Sequence, residues 1–545
     1  MLDQTFPWLT TMIVVPLVGA GIVWALPRSA HRFARPIAVG VSLLVLLLGI
    51  LAALDFDTAA AGTHQLIDTK AWIPAFGVSY AVGVDGVGLA LVLLSVLLVP
   101  LVLLAAWREH PDAGVVAVAE SGDHAAVVAG VAGPGAVGGN RIRHYMALVL
   151  VLEAFIVAVF SARDVFLFYV LFEAMLIPVY FMIGAFGGLQ RRYAAVKFLL
   201  FSLAGGLVML AGVIALYLQG PGGPDGFMID KLVGLDLPVT TERLIFLAFF
   251  LAFAIKAPMW PVHTWLPDAA EQAPAGTSVL LVGVLDKVGT FGMLTLCLPL
   301  FPEASRWAAP VIIVLAVISI LYGALLAIGQ EDLMRLIAYT SVSHFGFIVL
   351  GIFAFTSVSV QGASLYMVNH GLSTGALFLV AGFLVTRRGS QRIADFGGLQ
   401  KVVPVLAGTF LVAGLSALSL PGLSPFVSEL LVLVGTFGAN KPAAVVATFA
   451  VVLAALYILL AYQRIFTGPV RDGLATMPDL SNRERWVVGP LIAAMLVLGF
   501  YPAPALDLVR EPASVTLTQV GVDDVVPTHA DPAAGASTSE DGSDQ

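Results

Sequence analysis

About fourteen stretches of this sequence are each long and apolar enough to cross a membrane as a helix, since one span needs roughly 20 mostly apolar residues. The segments lie at approximately 8–27, 36–54, 84–106, 145–161, 164–187, 195–219, 243–266, 275–300, 308–329, 333–355, 361–386, 404–438, 442–466 and 486–504. Charged residues make up only 11% of the 545-residue chain, against about 25% in soluble domains. The sequence therefore predicts an all-α, polytopic membrane protein.

Two of these segments contain helix breakers. Segment 243–266 is interrupted by "KAPMWP", with Pro258 and Pro261, and segment 404–438 by "SLPGLSPF" at 419–426. Proline removes a backbone donor, so the freed carbonyls need a polar or hydrated surrounding. Broken helices in the middle of the membrane are typical of transporters built from inverted repeats. We therefore predict two inverted repeats of five helices, at 145–300 and 308–466, each with one broken helix.

Four further regions complete the predicted organisation. Residues 1–110 form a three-helix segment, and residues 111–144 form a variable cytoplasmic loop rich in Ala, Gly and Val. A last transmembrane helix is expected at 486–504. The remainder, 505–545, reads as an acidic external tail that is partly disordered, because its small and acidic residues favour disorder.

The distribution of Lys and Arg predicts the orientation. With the N-terminus outside, 18 of the 27 cations fall in cytoplasmic loops, as the positive-inside rule requires. Both termini are then external. The loop at 267–274 is a local exception, since it carries Asp268 and Glu271 and no cation.

Ionisable residues lie inside the predicted spans, where a charge costs roughly 2.5–3.5 kcal/mol at the bilayer centre and normally marks an ion pathway. The six charged positions and two nearby histidines are Glu153, Glu173, Lys256, Asp286, Lys287, Glu429, His344 and His370. So many buried ionisable groups predict a proton pathway. A membrane scaffold without transport is the alternative, and it predicts that apolar replacements have no functional cost.

Three of these residues are predicted to share one layer. Glu153 and Glu173 lie on consecutive helices at similar distances from the turn "SARD" (161–164), so their depth is similar. Lys256 stands beside the first helix break and would change its protonation state as a carboxylate partner moves. Simpler alternatives are a carboxylate that hydrogen-bonds a neighbouring helix, and a lysine that reaches to the membrane surface.

The second group follows along the chain. Asp286 and Lys287 are consecutive, and consecutive helical residues point about 100° apart, so a direct pair is not assured. His344 and His370 either pass protons or serve in packing. A metal site at these histidines is not expected, because no third ligand has suitable spacing. The single cysteine, Cys297, excludes four-cysteine metal sites, and we expect no cofactor in this chain.

Four stretches together resemble the antiporter-like subunits of proton-pumping NADH:quinone oxidoreductase, respiratory complex I. They are "FEAMLIPVYFMIG" (172–184), "AFAIKAPMWPVHTWLPDAAEQAPAGTSVLL" (252–281), "LIAYTSVSHFGF" (336–347) and "SLPGLSPFVSELLVL" (419–433). The resemblance covers about residues 80–470. It implies that Glu173 and Lys256 form a coupling pair, with Glu153 beside it. Lys287 and His344 would be the central relay, and Glu429 the distal proton site.

The sequence departs from the family pattern at three positions. Asp286 stands where an apolar residue is expected, and Pro425 and Ser428 replace residues that are usually glycine. The resemblance further implies a bacterial inner-membrane location and no redox chemistry in this chain. The expected partners are other membrane-arm subunits, including two antiporter-like sister subunits, with lipids and protons and without nucleic acid. A subunit of a multisubunit sodium/proton antiporter is the alternative function.

Overall fold

The computed structural model describes residues 6–107 and 138–522, and helices dominate both ranges. The predicted loop at 111–144 lies outside the described residues except for 138–144. The predicted acidic tail is described only at 505–522.

The first half of the chain contains a small hairpin among its helices. Its elements are α1 (Trp8–Ala25), α2 (Ala34–Asp55), β1 (Gln65–Ile73), β2 (Val78–Val84), α3 (Gly86–Ala105), α4 (Gly138–Ser161), α5 (Val165–Ala174), α6 (Leu176–Phe186), α7 (Arg191–Gln219), α8 (Ile229–Leu232), α9 (Val239–Lys256) and α10 (Trp265–Gln272). Strands β1 and β2 pair antiparallel. Helices α5 and α6 together cover one predicted span, with Met175 between them.

The second half begins with a span that changes helix type twice. It consists of α11 (Ala275–Leu280), a π-helix (Leu281–Leu285), α12 (Lys287–Gly292), a second π-helix (Met293–Cys297) and α13 (Leu298–Leu300). The helices after it are α14 (Pro302–Ile328), α15 (Leu333–Phe353), α16 (Ser357–Arg388), α17 (Pro404–Ala417), α18 (Ser424–Ala439), α19 (Lys441–Phe466), α20 (Asn482–Phe500) and α21 (Ala503–Val520).

The predicted polytopic helical architecture is confirmed. Within the described ranges, eleven helical segments are long and apolar enough to cross a membrane, and twelve if the bent pair α20 and α21 counts as one span. Every predicted segment coincides with one or two helices, except the segment 275–300, which contains α11, α12, α13 and the two π-helices. The two broken segments, α9 with α10 and α17 with α18, are composed of shorter or more charged pieces, which explains why fewer than fourteen helices qualify alone. The inverted-repeat relation stays a prediction.

At the first helix break, two side chains form hydrogen bonds with backbone groups. The carbonyl of Ile255 accepts a hydrogen bond from the indole of Trp265 at 2.9 Å. The amide of Trp260 donates to the hydroxyl of Ser319 at 2.9 Å. Buried polar backbone groups need such partners. The Trp and Ser side chains therefore stabilise an open helix inside the apolar core.

Two elements were not predicted. The hairpin at 65–84 was missed, although its Val, Ile, Tyr and Trp content favours strands. The predicted tail at 505–545 begins within α21 (Ala503–Val520), a helix that the sequence analysis did not predict, and its partial disorder stays a prediction. Its buried residues Val509, Ala513, Leu517 and Val520 recur every three or four positions, which is the pattern of an amphipathic helix.

The most buried spans lie in the middle of the bundle. In an apolar stretch of 18 residues taken from each span, 94% of the residues are buried in the 275–300 span and in α15, and 89% in α16. The corresponding values are 33% for Ser29–Asp55, which contains α2, and 28% for α19. Most of the predicted site residues in the second half sit on these three innermost spans. Their surroundings are therefore protein and not lipid.

Candidate functional site

The first helix break positions Lys256. It is the last residue of α9, its side chain is fully buried, and its Nζ has no hydrogen-bond partner among the described residues. The ammonium lies over the ring of Phe172 at 4.9 Å from the centroid and near that of Phe198 at 5.9 Å. Aromatic faces attract a cation without fixing it by a hydrogen bond. The lysine is therefore held loosely enough to change partners.

Glu173 lies next to this lysine without forming an ion pair. It belongs to the last turn of α5, is only partly buried, and interacts electrostatically with Lys256. Its Oε1 has no hydrogen-bond partner in the described ranges. The carboxylate packs so closely on α7 that a Cβ added at Gly206 would lie 1.7 Å from Oε1. Glu173 and Lys256 are thus close enough to interact electrostatically, but they form no hydrogen bond or ion pair with each other.

Glu153 is buried without a hydrogen-bond partner among the described residues, and its place in one layer with Lys256 stays a prediction. Its side chain on α4 is fully buried, and neither carboxylate oxygen has a hydrogen-bond partner within the part of the chain that is described. Burial alone, and no charged neighbour, affects its carboxyl group. The structure therefore does not bring Glu153 into electrostatic contact with Lys256.

Lys287 follows the first π-helix (Leu281–Leu285) and forms two hydrogen bonds. Its Nζ donates to the carbonyl of Val282 at 2.6 Å and is hydrogen-bonded to Nδ1 of His370 at 2.7 Å. The preceding residue, Asp286, interacts electrostatically with both Lys287 and Lys256, but its carboxylate oxygens have no hydrogen-bond partner in the described structure. The acidic residue is therefore within electrostatic range of both buried lysines.

The two histidines continue from Lys287 toward the second helix break. The rings of His370 and His344 meet edge to face, with centroids 5.1 Å apart. Nε2 of His344 lies 3.5 Å from the hydroxyl of Tyr457. Among the residues described, no group of three or more His, Cys, Asp or Glu is arranged to hold a metal ion. Lys287, His370, His344 and Tyr457 thus lie one after another in a row of polar groups, which we call the file.

Glu429 ends this file at the second break. Its Oε2 accepts hydrogen bonds from Tyr366 at 2.8 Å and from Ser419 at 2.5 Å. Ser419 belongs to the break itself and has a φ of +60°, a left-handed conformation that non-glycine residues adopt infrequently. The same break is supported by Asn369, whose amide donates to the carbonyl of Ser424 at 2.7 Å. The break therefore supplies one of the two donors to the glutamate.

An ion cluster occupies the end of the first broken helix at 267–274. Asp268 pairs with Lys197 at 2.6 Å and with Arg335 at 2.7 Å, and Arg335 also pairs with Glu271 at 2.8 Å. These cations come from α7 and α15, which explains why a loop without its own cation tolerates two acidic residues.

Asp332, which caps α15, has a raised pKa. Burial and the nearby Glu271 raise the pKa of its carboxyl group to about 7, although hydrogen bonds from the helix amides act to lower it.

Several residues of the site were not predicted. The hydroxyls of Tyr366 and Tyr457 and the rings of Phe172 and Phe198 contact the titratable groups. Tyr366 precedes His370 by four residues, and that spacing places both on one helix face. This signal was available in the sequence. Contacts made by residues far apart in the chain, such as Tyr457 with His344, had no local signal.

Known proteins are similar to this chain in sequence and in fold. The family described as NADH:quinone oxidoreductase/Mrp antiporter, TM matches residues 162–454. The chain is 49% identical to NADH-quinone oxidoreductase subunit M of Mycobacterium tuberculosis, over 98% of this chain and 99% of the relative. Its fold is similar to a chain of respiratory complex I from Thermus thermophilus, with a TM-score of 0.81, 30% identity, and coverage of 94% and 100% of the two chains.

A second solved assembly has the same fold at lower identity. A chain of the Mrp complex from Dietzia superposes with a TM-score of 0.79 at 22% identity, over 95% of this chain and all of that one. At such identity the likeness shows the fold alone.

Proposed function

The chain belongs to the NADH:quinone oxidoreductase/Mrp antiporter transmembrane family, and from this premise we propose how its buried residues carry protons. The protein is a proton-translocating membrane subunit of NADH:quinone oxidoreductase, and its partners are other subunits of the membrane arm. Relatives similar over almost the whole chain are named subunit M or chain 4, which identifies this subunit as the M-type member. We place it in the bacterial plasma membrane with both termini external.

The observation that carries the mechanism is the file of polar contacts from Lys287 to Glu429. Lys287 contacts His370, the two histidine rings adjoin, and Tyr366 and Ser419 donate to Glu429. Each neighbour offers a group that can accept or donate a proton. We assign the central relay to Lys287, His370 and His344, and the distal proton site to Glu429.

The driving event occurs at Glu173 and Lys256. Because Glu173 interacts with Lys256 without a bond, a small movement of its carboxylate changes how strongly the ammonium is stabilised. Asp286 then couples that lysine to Lys287. Moving one charge against the membrane potential takes about 2.3 kcal/mol per 100 mV, which quinone reduction elsewhere in the complex must supply. Glu153 is assigned a supporting role at the edge of this layer.

Two functional alternatives remain distinguishable by experiment. NADH should drive acidification of inverted membrane vesicles equally well when sodium is replaced by potassium. A requirement for sodium, together with purification of the tagged chain without NADH-oxidising subunits, would favour the sodium/proton antiporter.

For the relay itself, Glu173→Ala should lower proton pumping while the complex still assembles on native gels. Unchanged pumping would refute the role of that carboxylate.

A further inference from the structure

A cavity of about 340 Å³ opens beside the hairpin, away from the ion cluster at 267–274. Its walls come from β2, the start of α5, the segment around α8, the second π-helix and α21. None of the proposed relay residues lines it. About 10–15 Å³ suffices to hold one water molecule where polar partners are present. The cavity is therefore large enough for several.

Charged side chains surround the outer part of this cavity. Arg163 forms an ion pair with Asp230, and Nδ1 of His64 lies 3.8 Å from Oδ1 of the same aspartate. Asp85, which caps α3, interacts electrostatically with His64. All four residues line the cavity. Such groups favour hydration, since an apolar occupant would leave them without solvent.

Aromatic rings form the floor. Phe160 and Phe291 line the cavity and meet edge to face at 5.3 Å between centroids. Phe168, also in the lining, packs on Phe172 at 6.1 Å, and Phe172 is the ring beneath the ammonium of Lys256 at 4.9 Å. Two stacked rings, Phe168 and Phe172, thus separate the cavity from the first buried lysine.

The span 275–300 has one partly exposed residue where it borders the cavity. Thr295 is the only residue from 276 to 300 that is not buried. It lies in the second π-helix, lines the cavity and donates its hydroxyl hydrogen bond to the carbonyl of Phe291 at 2.8 Å. Phe291 in turn follows Lys287 by four residues, on one helix face. The floor therefore adjoins both lysine positions.

We propose that this cavity is an aqueous vestibule that admits hydrated protons from the external face to the aromatic floor formed by Phe160, Phe168 and Phe291. The floor is the barrier that keeps Lys256 and Lys287 from exchanging protons with that face at rest. This function goes beyond the relay, whose distal site is Glu429. It rests on the proposed orientation, which places the hairpin outside.

Thiol labelling in the assembled complex tests the vestibule. Thr295→Cys in a Cys297→Ser background should react with a small, charged, membrane-impermeant methanethiosulfonate in right-side-out vesicles and not in inverted ones. The unaltered chain is the matched control, because Cys297 is two residues away and fully buried. Labelling only in inverted vesicles would overturn the orientation. Absence of labelling in both would overturn the vestibule, provided that Gln519→Cys, elsewhere in the cavity lining, reacts.

Passive proton permeability tests the barrier. Phe291→Ala should raise the decay rate of an imposed pH gradient severalfold in vesicles without NADH. Phe410→Ala is the control, since Phe410 is equally buried against Phe466 and far along the chain from the cavity. Equal decay rates in the two variants, with assembly intact, would overturn the assignment of the floor as a barrier.

Discussion

Replacing Gly206 by alanine should disturb the Glu173 carboxylate without removing any titratable group. The new Cβ would lie 1.7 Å from Oε1 and 2.4 Å from the carboxyl carbon of Glu173. Ordinary contacts between non-bonded heavy atoms are about 3.5–4.0 Å. The carboxylate must therefore move by roughly 1.8 Å or more, because the glycine backbone on α7 cannot retreat without displacing the helix.

The size of the effect follows from overpacking. Extra methyl groups in a well-packed site cost typically 1–3 kcal/mol, and each 1.4 kcal/mol corresponds to about a tenfold change in an equilibrium. The position of Glu173 that influences Lys256 should therefore lose occupancy by roughly 5- to 150-fold. NADH-driven acidification of inverted vesicles should fall relative to NADH oxidation.

A neighbouring glycine provides the control. An alanine at Gly205 would meet the flexible end of Ile255 at 3.0 Å and the backbone of Ala252 at 3.2 Å, so only small adjustments are needed. Gly205→Ala should pump at close to the normal ratio. If Gly206→Ala in an assembled complex pumps as well as Gly205→Ala, the position of the Glu173 carboxylate does not control the relay and the reasoning is refuted.

Three further predictions concern other parts of the file and its flank. Tyr366→Phe removes a 2.8 Å hydrogen bond to the buried glutamate at the second break, and bonds to charged groups contribute about 1.5–3 kcal/mol, so proton pumping should fall more than in Tyr457→Phe, whose contact is 3.5 Å long. Glu173→Gln should lower the pumping ratio more than Glu153→Gln, because Glu173 is the one of these two glutamates that interacts electrostatically with Lys256; the opposite ranking would contradict this assignment. The raised pKa of Asp332, about 7, means that its carboxyl favours the folded chain when protonated and loses that contribution as pH rises through 7. Asp332→Asn keeps the helix cap and should reduce the loss of thermal stability between pH 5 and pH 8, whereas an identical loss in the variant would refute the assignment.

The spans could be predicted from the sequence because their signal is local. A run of apolar residues is a sufficient cue in a membrane, and the prolines at both breaks are visible as letters. The hairpin was not predicted because it is short and lies among long apolar segments. Helix α21 was not predicted because its acidic and proline residues made the regular spacing of its buried residues hard to recognise.

The site was predictable only where a titratable residue itself lies within an apolar segment. Lys256, Lys287, His344 and Glu429 satisfied that condition. The hydroxyl of Ser419, the ring of Phe172 and the cations that neutralise Asp268 are supplied by other elements, so their roles depend on tertiary packing. The depth argument predicts a shared layer for Glu153 and Lys256, but equal depth does not fix which face of a helix a carboxylate occupies, so it could not show whether the two groups interact.

The most direct test of the relay is NADH-driven proton pumping in membranes carrying Lys256→Ala, with assembly verified on native gels. Lys70→Ala, at an exposed lysine of the hairpin, is the control and should pump normally. The account predicts an assembled complex with Lys256→Ala in which pumping is lost. Unchanged pumping in that variant would show that the buried lysine is structural and would contradict the proposed mechanism.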